Sequence, residues 1–371
     1  MALPAAIVQR FNSRAISKNS AVKYGPIGLD FGCNGLRLVQ FCQHETGVVL
    51  HASTSVPLTK TLRSSPKKTR ALIKDVFRKN KFVGREVITC LQPNDTETVM
   101  LSYLHQAGKQ DEDLIIKRMA ERIDDGIENY VIDFMQVRPD AKDGQERSVL
   151  VSMARRELVI EYLELMRKAG LEVKVLEIEP AAIRRLVSVK HNNTERTDNL
   201  MTVSMGQAQT YITVLSGRRL IYERDIDFGE QQLIELLCRE LELDEHAARS
   251  MLVRKKTESA EDEQADNADD ISTALYSVLK PRFMELMDDI NRALAYAASE
   301  TRGAPVKQVY LTNLVATWCG IDTFMGSLIK VPVSVLLPFE GFDKEKDFTA
   351  QSDPRDAVAT GMALYGLTEA G

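Results

Sequence analysis

The chain has 371 residues, of which 44% are hydrophobic and 27% are charged, and its formal net charge is −5. This composition is typical of a soluble globular protein that is long enough to form two or more lobes. The acidic balance argues against nucleic-acid binding through bulk electrostatics. The five cysteines are scattered and form no C-x-x-C pair, so we expect a reducing, cytosolic environment and no structural zinc.

Residues 1–24 are predicted to form a basic N-terminal tail, because they carry four lysines and arginines and no acidic residue. Apolar residues in this segment, among them Ile7 and Phe11, recur at helical spacing. Two interpretations stay open. The tail either rests on an anionic membrane surface as an amphipathic segment, or is disordered or docks on its own domain.

An apolar run, a glycine-containing turn and a second apolar run occur twice, at residues 27–41 and 200–215. Each pattern is typical of a β-hairpin, and Asn34-Gly35 in the first turn suits a tight bend. Because the turns contain Gly32 and Gly206, one in each half of the chain, we predict two related lobes that face one another.

The tips of the two hairpins are candidate phosphate sites, because glycine leaves backbone N–H groups open to close approach. Asp30 precedes the first tip and is a candidate both for cofactor binding and for holding a water bound to Mg²⁺. The alternative is a pair of ordinary hairpins with glycine at the bend. The cofactor-binding candidates at the tips are Gly32, Cys33, Asn34, Gly35, Gly206 and Gln207.

We predict that residues 25–84 and 148–198 form the core of the first lobe and that residues 85–147 form a small α+β insertion. The insertion is predicted from short apolar strands and from an amphipathic helix that begins at Asp111. After the insertion, a helix should end at Gly170, a residue suited to the position after a helix. The strand–helix–strand–helix order there implies parallel strands joined by a right-handed crossover.

Residues 199–232 and 302–371 are predicted to form the core of the second lobe, with a helical subdomain at residues 233–301. This subdomain includes an acidic loop, residues 257–270, whose low hydrophobicity and like charges predict a solvated segment. The long helix that follows contains Pro281, which should kink or split it.

In their order and spacing these segments resemble the PilM family of type IV pilus assembly proteins, a branch of the actin-like ATPases related to FtsA. The matching segments include residues 27–32, the helix 155–170 and the closing residues 361–364. The resemblance implies an α/β, actin-like two-lobed fold around a nucleotide cleft. It also implies a small α+β insertion in the first lobe, at the place where PilM and FtsA carry their extra subdomain.

The resemblance implies a site for ATP and Mg²⁺, but the chain departs from the family pattern. Members that bind ATP usually have D-x-G in the second hairpin, where this chain has Ser204-Met205-Gly206. The usual glycine run after strand 306–312 is replaced by a turn that begins at Asn313, and Leu314 and Val315 are expected to crowd a ribose or base. We therefore expect a degenerate site in which ATP hydrolysis is weak or absent.

Two further cofactor-binding candidates come from the resemblance. Gly229 stands where the family's far helix approaches the nucleotide, and Asn313 replaces the first residue of the glycine turn. Glu179, in Glu179-Pro180-Ala181-Ala182, is similar to the glutamate of heat-shock chaperone ATPases that lies near the γ-phosphate, so Asp30 and Glu179 are the catalytic candidates. The alternative is that Glu179 only favours the helix that it begins, with Pro180 at the first helical position.

The function that the resemblance implies is a cytoplasmic scaffold at the inner face of the inner membrane. Such a scaffold binds the short cytoplasmic tail of a PilN-like single-pass membrane protein and other pilus platform proteins, and reaches the membrane only through its partners. The groove for the tail is expected beside residues 87–91 and 99–104. Two alternatives stay open: an ATP-dependent kinase or ATPase, and an FtsA-like filament former.

Overall fold

The computed structural model describes residues 22–32, 35–45, 47–58, 65–106, 108, 110–137, 146–191, 198–217, 219–252 and 264–367. Two of the predicted phosphate-site residues, Cys33 and Asn34, lie outside these ranges. So do most of the predicted basic tail and the first half of the predicted acidic loop.

Strands and helices alternate along most of the chain. The strands are β1 (Lys23–Phe31), β2 (Gly35–His44), β3 (Gly47–Pro57), β4 (Glu86–Cys90), β5 (Glu97–Leu104), β6 (Tyr130–Gln136), β7 (Glu146–Arg155), β8 (Glu172–Glu177), β9 (Asn199–Met205), β10 (Thr210–Ser216), β11 (Arg219–Ile226), β12 (Val306–Thr312), β13 (Val333–Val335) and β14 (Asp343–Lys344). The α-helices are α1 (Pro66–Lys79), α2 (Asp111–Ala120), α3 (Arg156–Ala169), α4 (Glu179–Lys190), α5 (Glu230–Leu241), α6 (Glu245–Leu252), α7 (Gln264–Glu300), α8 (Ile321–Leu328) and α9 (Ala357–Ala363).

Two large sheets repeat one topology. The first sheet has the order β14–β3–β2–β1–β4–β8, and the second has the order β11–β10–β9–β12–β13. In each sheet a central strand, β1 or β9, is antiparallel to the strand that follows it and parallel to a later strand, β4 or β12. The two related lobes predicted from the paired hairpins are therefore confirmed.

A third sheet, β5–β7–β6, forms the small insertion. Its apolar face packs against Ile115 and Met119 of α2. The predicted boundaries at residues 85 and 147 differ from the observed pairing. Strand β4 belongs to the first sheet, whereas β7 pairs with β5 and β6 in the small sheet. Apolar alternation along a strand indicates that the strand exists but does not identify its neighbours, which explains the shift.

Helix α7 runs without interruption from Gln264 to Glu300, so the expected split at Pro281 is wrong. It also begins inside the segment predicted as an acidic loop. Leu279 and Phe283, on either side of the proline, are buried in the core of the second lobe. This packing outweighs the cost of about 3 kcal/mol that a proline imposes on a helix interior. No helix in the described part of the chain is long and apolar enough to cross a membrane.

Helix α9 returns from the second half of the chain and packs on β1 and α4 of the first lobe. A Cβ at Gly28 of β1 would overlap with the carbonyl oxygen of Ala359, and a Cβ at Gly361 would overlap with that of Ala182. Arg185 of α4 fixes the crossing by donating a 2.8 Å hydrogen bond to the carbonyl oxygen of Gly361. The absence of side chains at these two glycines thus sets the distance between the backbones.

Replacing Gly28 by Ala should destabilise the protein, because the added methyl group has no space beside Ala359. We expect a loss of about 1–3 kcal/mol, the usual cost of overpacking a core. The matched control is Gly326→Ala in α8, because a Cβ there would meet open space. This substitution should stabilise the helix by about 0.5–1 kcal/mol. Denaturant unfolding would measure both, and equal stability of the two variants would contradict this account of the helix crossing.

Candidate functional site

The candidate site lies where four elements bring polar side chains together. Asp30 is near the end of β1, Glu179 is the first residue of α4, Ser204 is near the end of β9 and Asn313 directly follows β12. Strands β9 and β12 run parallel with Ser204 opposite Thr312, so their ends meet at one edge of the second sheet. Residues from both lobes therefore contribute to one cluster.

Glu179 is at the centre of this cluster. Its Oε1 accepts a 2.6 Å hydrogen bond from Ser204 Oγ and a 3.2 Å hydrogen bond from Asn313 Nδ2. Burial raises the pKa of Glu179 to about 7 against the opposing effect of these two hydrogen bonds, and the nearby Asp30 carboxylate adds to the increase. A carboxyl group with such a pKa exchanges a proton near neutral pH.

Asp30 is half-buried beside the first hairpin tip. Burial raises the pKa of Asp30 to about 6, and the charge of Arg37 partly opposes the increase. A Cβ at Gly32 would lie 3.5 Å from both carboxylate oxygens of Asp30, so the tip lies directly next to this side chain. The Asp30 carboxylate and the first hairpin tip are therefore direct neighbours in the structure.

Arg37 and Asp356 form a buried ion pair that the sequence analysis did not identify. Arg37 Nε lies 3.4 Å from Asp356 Oδ1. Burial and the charge of Asp353 raise the pKa of Asp356 to about 7, against the effect of Arg37. Because Arg37 belongs to β2 and Asp356 immediately precedes α9, the pair links the first sheet to the returning helix. The one sequence signal was a charged residue inside the apolar run of β2.

The second hairpin tip is closed by the first turn of α5. The backbone N–H groups of Glu230 and Gln231 donate 2.9 Å hydrogen bonds to the carbonyl oxygens of Gly206 and Gln207. Gly229 permits this approach, because a Cβ there would overlap with the carbonyl oxygen of Gln207. These two helix donors, which would otherwise be free to bind an anion, are thus paired within the protein.

A cavity of about 410 Å³ lies between α5 and α6. Arg249 of α6 crosses its rim to form ion pairs with Glu230, which is buried, and with Glu245 at 3.1 Å. The volume is within the range of about 300–1,000 Å³ that is common for small-molecule sites. The residues that line it are Gln231, Ile234, Glu235, Cys238, Arg239, Glu245 and Arg249.

The turn after β12 was expected to crowd a nucleotide, and the structure departs from this expectation at Val315. Asn313 adopts a left-handed conformation with φ of 72°, which asparagine tolerates better than most residues. Val315 is fully buried in the core of the second lobe, together with Trp318. Its side chain therefore does not crowd the cleft, and that part of the prediction is wrong.

The structure thus brings Asp30, Glu179 and Asn313 into one cluster. The Cβ position of Gly206 lies 3.6 Å from Asn313 Nδ2, which places the second tip at its edge. Gly229 and Gln207 contact each other behind this tip rather than joining the cluster. Gly35 packs against the side chain of Arg37. The role of Ser204 as a hydrogen-bond donor to Glu179 was not predicted, because only its failure to match the family aspartate drew attention to it.

Comparison with known proteins gives the family. The sequence-family model described as "Type IV pilus assembly protein PilM" matches residues 28–367, nearly the whole chain. The chain belongs to the PilM family. A solved chain of a "PilM-PilN type IV pilus biogenesis complex" is similar to it with a TM-score of 0.74 and 22% sequence identity, over 92% of this chain and 98% of that chain.

A second solved structure has the same general architecture. The ethanolamine utilization protein EutJ from Carboxydothermus hydrogenoformans is similar with a TM-score of 0.51 and 15% identity, over 92% of this chain and 90% of that chain. At such identities the likeness concerns the fold. The predicted PilM resemblance and the predicted actin-like two-lobed α/β fold are confirmed.

Replacing Glu179 by Gln should stabilise the protein at neutral and alkaline pH. The folded-state pKa of about 7 lies above the ordinary value of 4.5, so unfolding releases a proton in this window. Glu179 therefore lowers stability as the pH rises from about 4.5 to 7, and each pKa unit corresponds to about 1.4 kcal/mol. The stability gain of Glu179→Gln should grow from near zero at about pH 4 to about 3 kcal/mol at about pH 8.

Denaturant unfolding across this pH range would measure the gain. The control is Glu161→Gln, on an exposed face of α3, which should leave the pH profile of the wild type unchanged. A gain that did not vary with pH would show that folding does not raise the pKa of Glu179.

Proposed function

We propose that the protein is a scaffold of type IV pilus assembly that holds the short cytoplasmic tail of a PilN-like membrane protein. The observation that carries this proposal is the similarity over nearly its whole length to a chain of a PilM–PilN complex. The PilM family itself is a family of type IV pilus assembly proteins. The tail would bring the protein to the inner face of the inner membrane from the cytoplasm, alongside other platform proteins.

The groove was expected beside two strands, and the one in the small sheet is the better candidate for binding the peptide. Residues Val87 to Cys90 of β4 are buried, and β4 is paired on both edges by β1 and β8. Neither edge of β4 is therefore free for strand addition, although the groove was expected beside this strand. Strand β5, in contrast, is a terminal strand of its sheet among the described strands, and it also contacts β11 of the second sheet, so a peptide can add only where β11 leaves this edge open. An extended peptide can add to such an edge through backbone hydrogen bonds.

Exposed apolar side chains lie on the same subdomain. Leu104 at the end of β5 is 58% exposed, and Ile116 of α2 is 40% exposed. These residues would give a bound strand apolar contacts in addition to backbone hydrogen bonds. We therefore place the proposed tail along β5, with Leu104 in contact with it.

We further propose that the cleft binds ATP with Mg²⁺ and does not turn it over. The residues that fit such a ligand are Asp30, which would hold a water bound to Mg²⁺, and Gly32, whose backbone would approach a phosphate. Bound ATP with Mg²⁺ would supply phosphate and metal charge between the lobes.

The polar side chains in the cleft do not support ATP hydrolysis. Ser204 stands where active relatives have a second carboxylate, and its hydroxyl is hydrogen-bonded to Glu179. Glu179 also accepts a hydrogen bond from Asn313. This carboxyl group is therefore engaged in two hydrogen bonds within the protein. Loss of one electrostatic group in a phosphoryl-transfer site commonly costs about 10² or more in rate. The same argument disfavours the kinase alternative.

Binding of the tail can be tested with a synthetic peptide that matches the short cytoplasmic segment of a PilN-like membrane protein. Leu104→Glu should weaken binding at least about tenfold, because it places a charge on the proposed apolar contact. The control is Ile160→Glu on α3, a residue 52% exposed on the first lobe, which should bind as the wild type does. Fluorescence anisotropy would measure both affinities, and equal loss in both variants would place the tail elsewhere.

Nucleotide binding can be tested by calorimetry with ATP and Mg²⁺, together with an assay of phosphate release. We expect binding without steady release, and a loss of affinity of about tenfold or more in Asp30→Asn, which removes the metal-side charge. Asp113→Asn, on an exposed position of α2, is the control. Steady phosphate release by the wild type would overturn the view that the site has lost turnover.

A further inference from the structure

Three side chains with metal-binding atoms meet at the far edge of the first sheet, on the opposite side of β1 from β4. Cys42 and His44 are two residues apart on β2, so both lie on the same face of the strand. Glu345 directly follows β14, the strand that pairs with β3 at the sheet edge. The Sγ of Cys42, a ring nitrogen of His44 and a carboxylate oxygen of Glu345 all lie within 4.8 Å of one another.

One oxygen is common to the contacts in this cluster. Glu345 Oε1 lies 3.5 Å from Cys42 Sγ and 4.0 Å from His44 Nε2. His44 Nε2 is shielded from solvent and has no hydrogen-bond partner within the described part of the chain. Tetrahedral zinc with bonds of about 2.0–2.3 Å separates its ligand atoms by roughly 3.3–3.7 Å. The two distances from Glu345 Oε1 are therefore close to the ligand spacing of zinc, and all three atoms lie within 4.8 Å of one another.

His51 holds the other oxygen of Glu345. Its Nδ1 lies 2.9 Å from Glu345 Oε2, its Nε2 lies 2.9 Å from the carbonyl oxygen of Lys81, and its side chain is only 7% exposed. Such a buried partner fixes the orientation of a ligating carboxylate, as outer-sphere groups do in metal sites. The cluster thus has an inner set of three atoms and a support behind it.

The three inner residues differ in how much of each side chain is exposed to solvent. Cys42 is fully buried, whereas the side chains of His44 and Glu345 are 36% and 30% exposed. The thiol is therefore the innermost group of the cluster, and the side chains of His44 and Glu345 reach solvent. An ion can approach the cluster from this partly exposed side, and a water molecule can complete its coordination.

We propose that Cys42, His44 and Glu345 bind a Zn²⁺ ion, with water as the fourth ligand. Thiolate, imidazole and carboxylate together favour zinc over Mg²⁺ or Ca²⁺, which prefer oxygen ligands only. On binding, the Cys42 thiol releases its proton to solvent and a Zn–S bond forms. The proposal is independent of the proposed scaffold function, and it revises the expectation of no structural zinc, which rested on the absence of cysteine pairs.

The ion would fasten the second half of the chain to the first lobe. Strand β14 has only two residues. The segment after it is held by the hydrogen bond from the N–H of Glu345 to the carbonyl oxygen of Leu50, 3.1 Å, by the exposed ion pair of Lys81 with Asp347, and by the packing of Phe348 against the apolar cluster that contains Phe41. A metal bond between β2 and this segment would oppose its detachment. Zinc should therefore stabilise the folded chain, because it binds that state preferentially.

The test uses the full chain, freed of metal by chelation and then titrated with Zn²⁺ against a chromogenic chelator. We expect one zinc ion per chain, a higher Tm with zinc than with EDTA, and, with Co²⁺ in place of zinc, the charge-transfer absorption of a thiolate–cobalt bond. Cys42→Ser should abolish the absorption, and Glu345→Gln should reduce zinc affinity at least tenfold. Cys319→Ser, which alters a free cysteine of the second lobe between β12 and α8, should behave as the wild type.

His44→Asn is the second variant, because the half-exposed His44 can be replaced without disturbing the core. It should keep the metal-free Tm and lose the increase caused by zinc. Zinc binding of equal stoichiometry and affinity in the wild type, Cys42→Ser and His44→Asn would overturn the proposal. So would a wild-type chain that binds less than one-tenth of an equivalent of zinc.

Discussion

The close approach of three backbones at the centre of the molecule is the constraint on which the rest depends. Helix α9 packs on β1 through Gly28 and on α4 through Gly361, where a Cβ at either glycine would overlap with a carbonyl oxygen. Arg185 holds the crossing, since it donates to the carbonyl oxygen of Gly361 and to both carboxylate oxygens of Glu177. Because α4 also begins with Glu179, the same crossing determines where that carboxyl group meets the second lobe.

The cleft is acidic, and its acids are restrained in different ways. Asp30 lies beside the first hairpin tip, Glu179 is held by Ser204 and Asn313, and Asp356 is paired with Arg37. Burial raises the pKa of all three carboxyl groups. Ser204 and Asn313 of the second lobe thus form a hydrogen-bonded contact with Glu179 of the first lobe, while Asp30 and Gly32 lie together at the first hairpin.

Local sequence patterns predicted the fold well and the site in part. The paired hairpins, the helix end at Gly170 and the placement of Asp30 and Glu179 follow from residues that are close in the chain, and these features can be inferred without coordinates. Features that depend on distant partners could not be inferred. Apolar alternation could not assign β4 and β7 to their sheets, propensity could not show that burial keeps α7 continuous at Pro281, and no spacing rule connects Cys42 with Glu345.

The first sheet and its cover are completed by residues near the end of the chain. Strand β14 adds its edge, and Val358, Met362 and Leu364 join Phe41 and Leu50 in one buried cluster. During synthesis on the ribosome, the apolar surface of the first lobe that α9 covers in the folded protein therefore stays exposed until almost the entire polypeptide has emerged. Truncation at the C-terminus would remove part of the core of the first lobe, although that lobe is encoded mainly by the opening half of the gene.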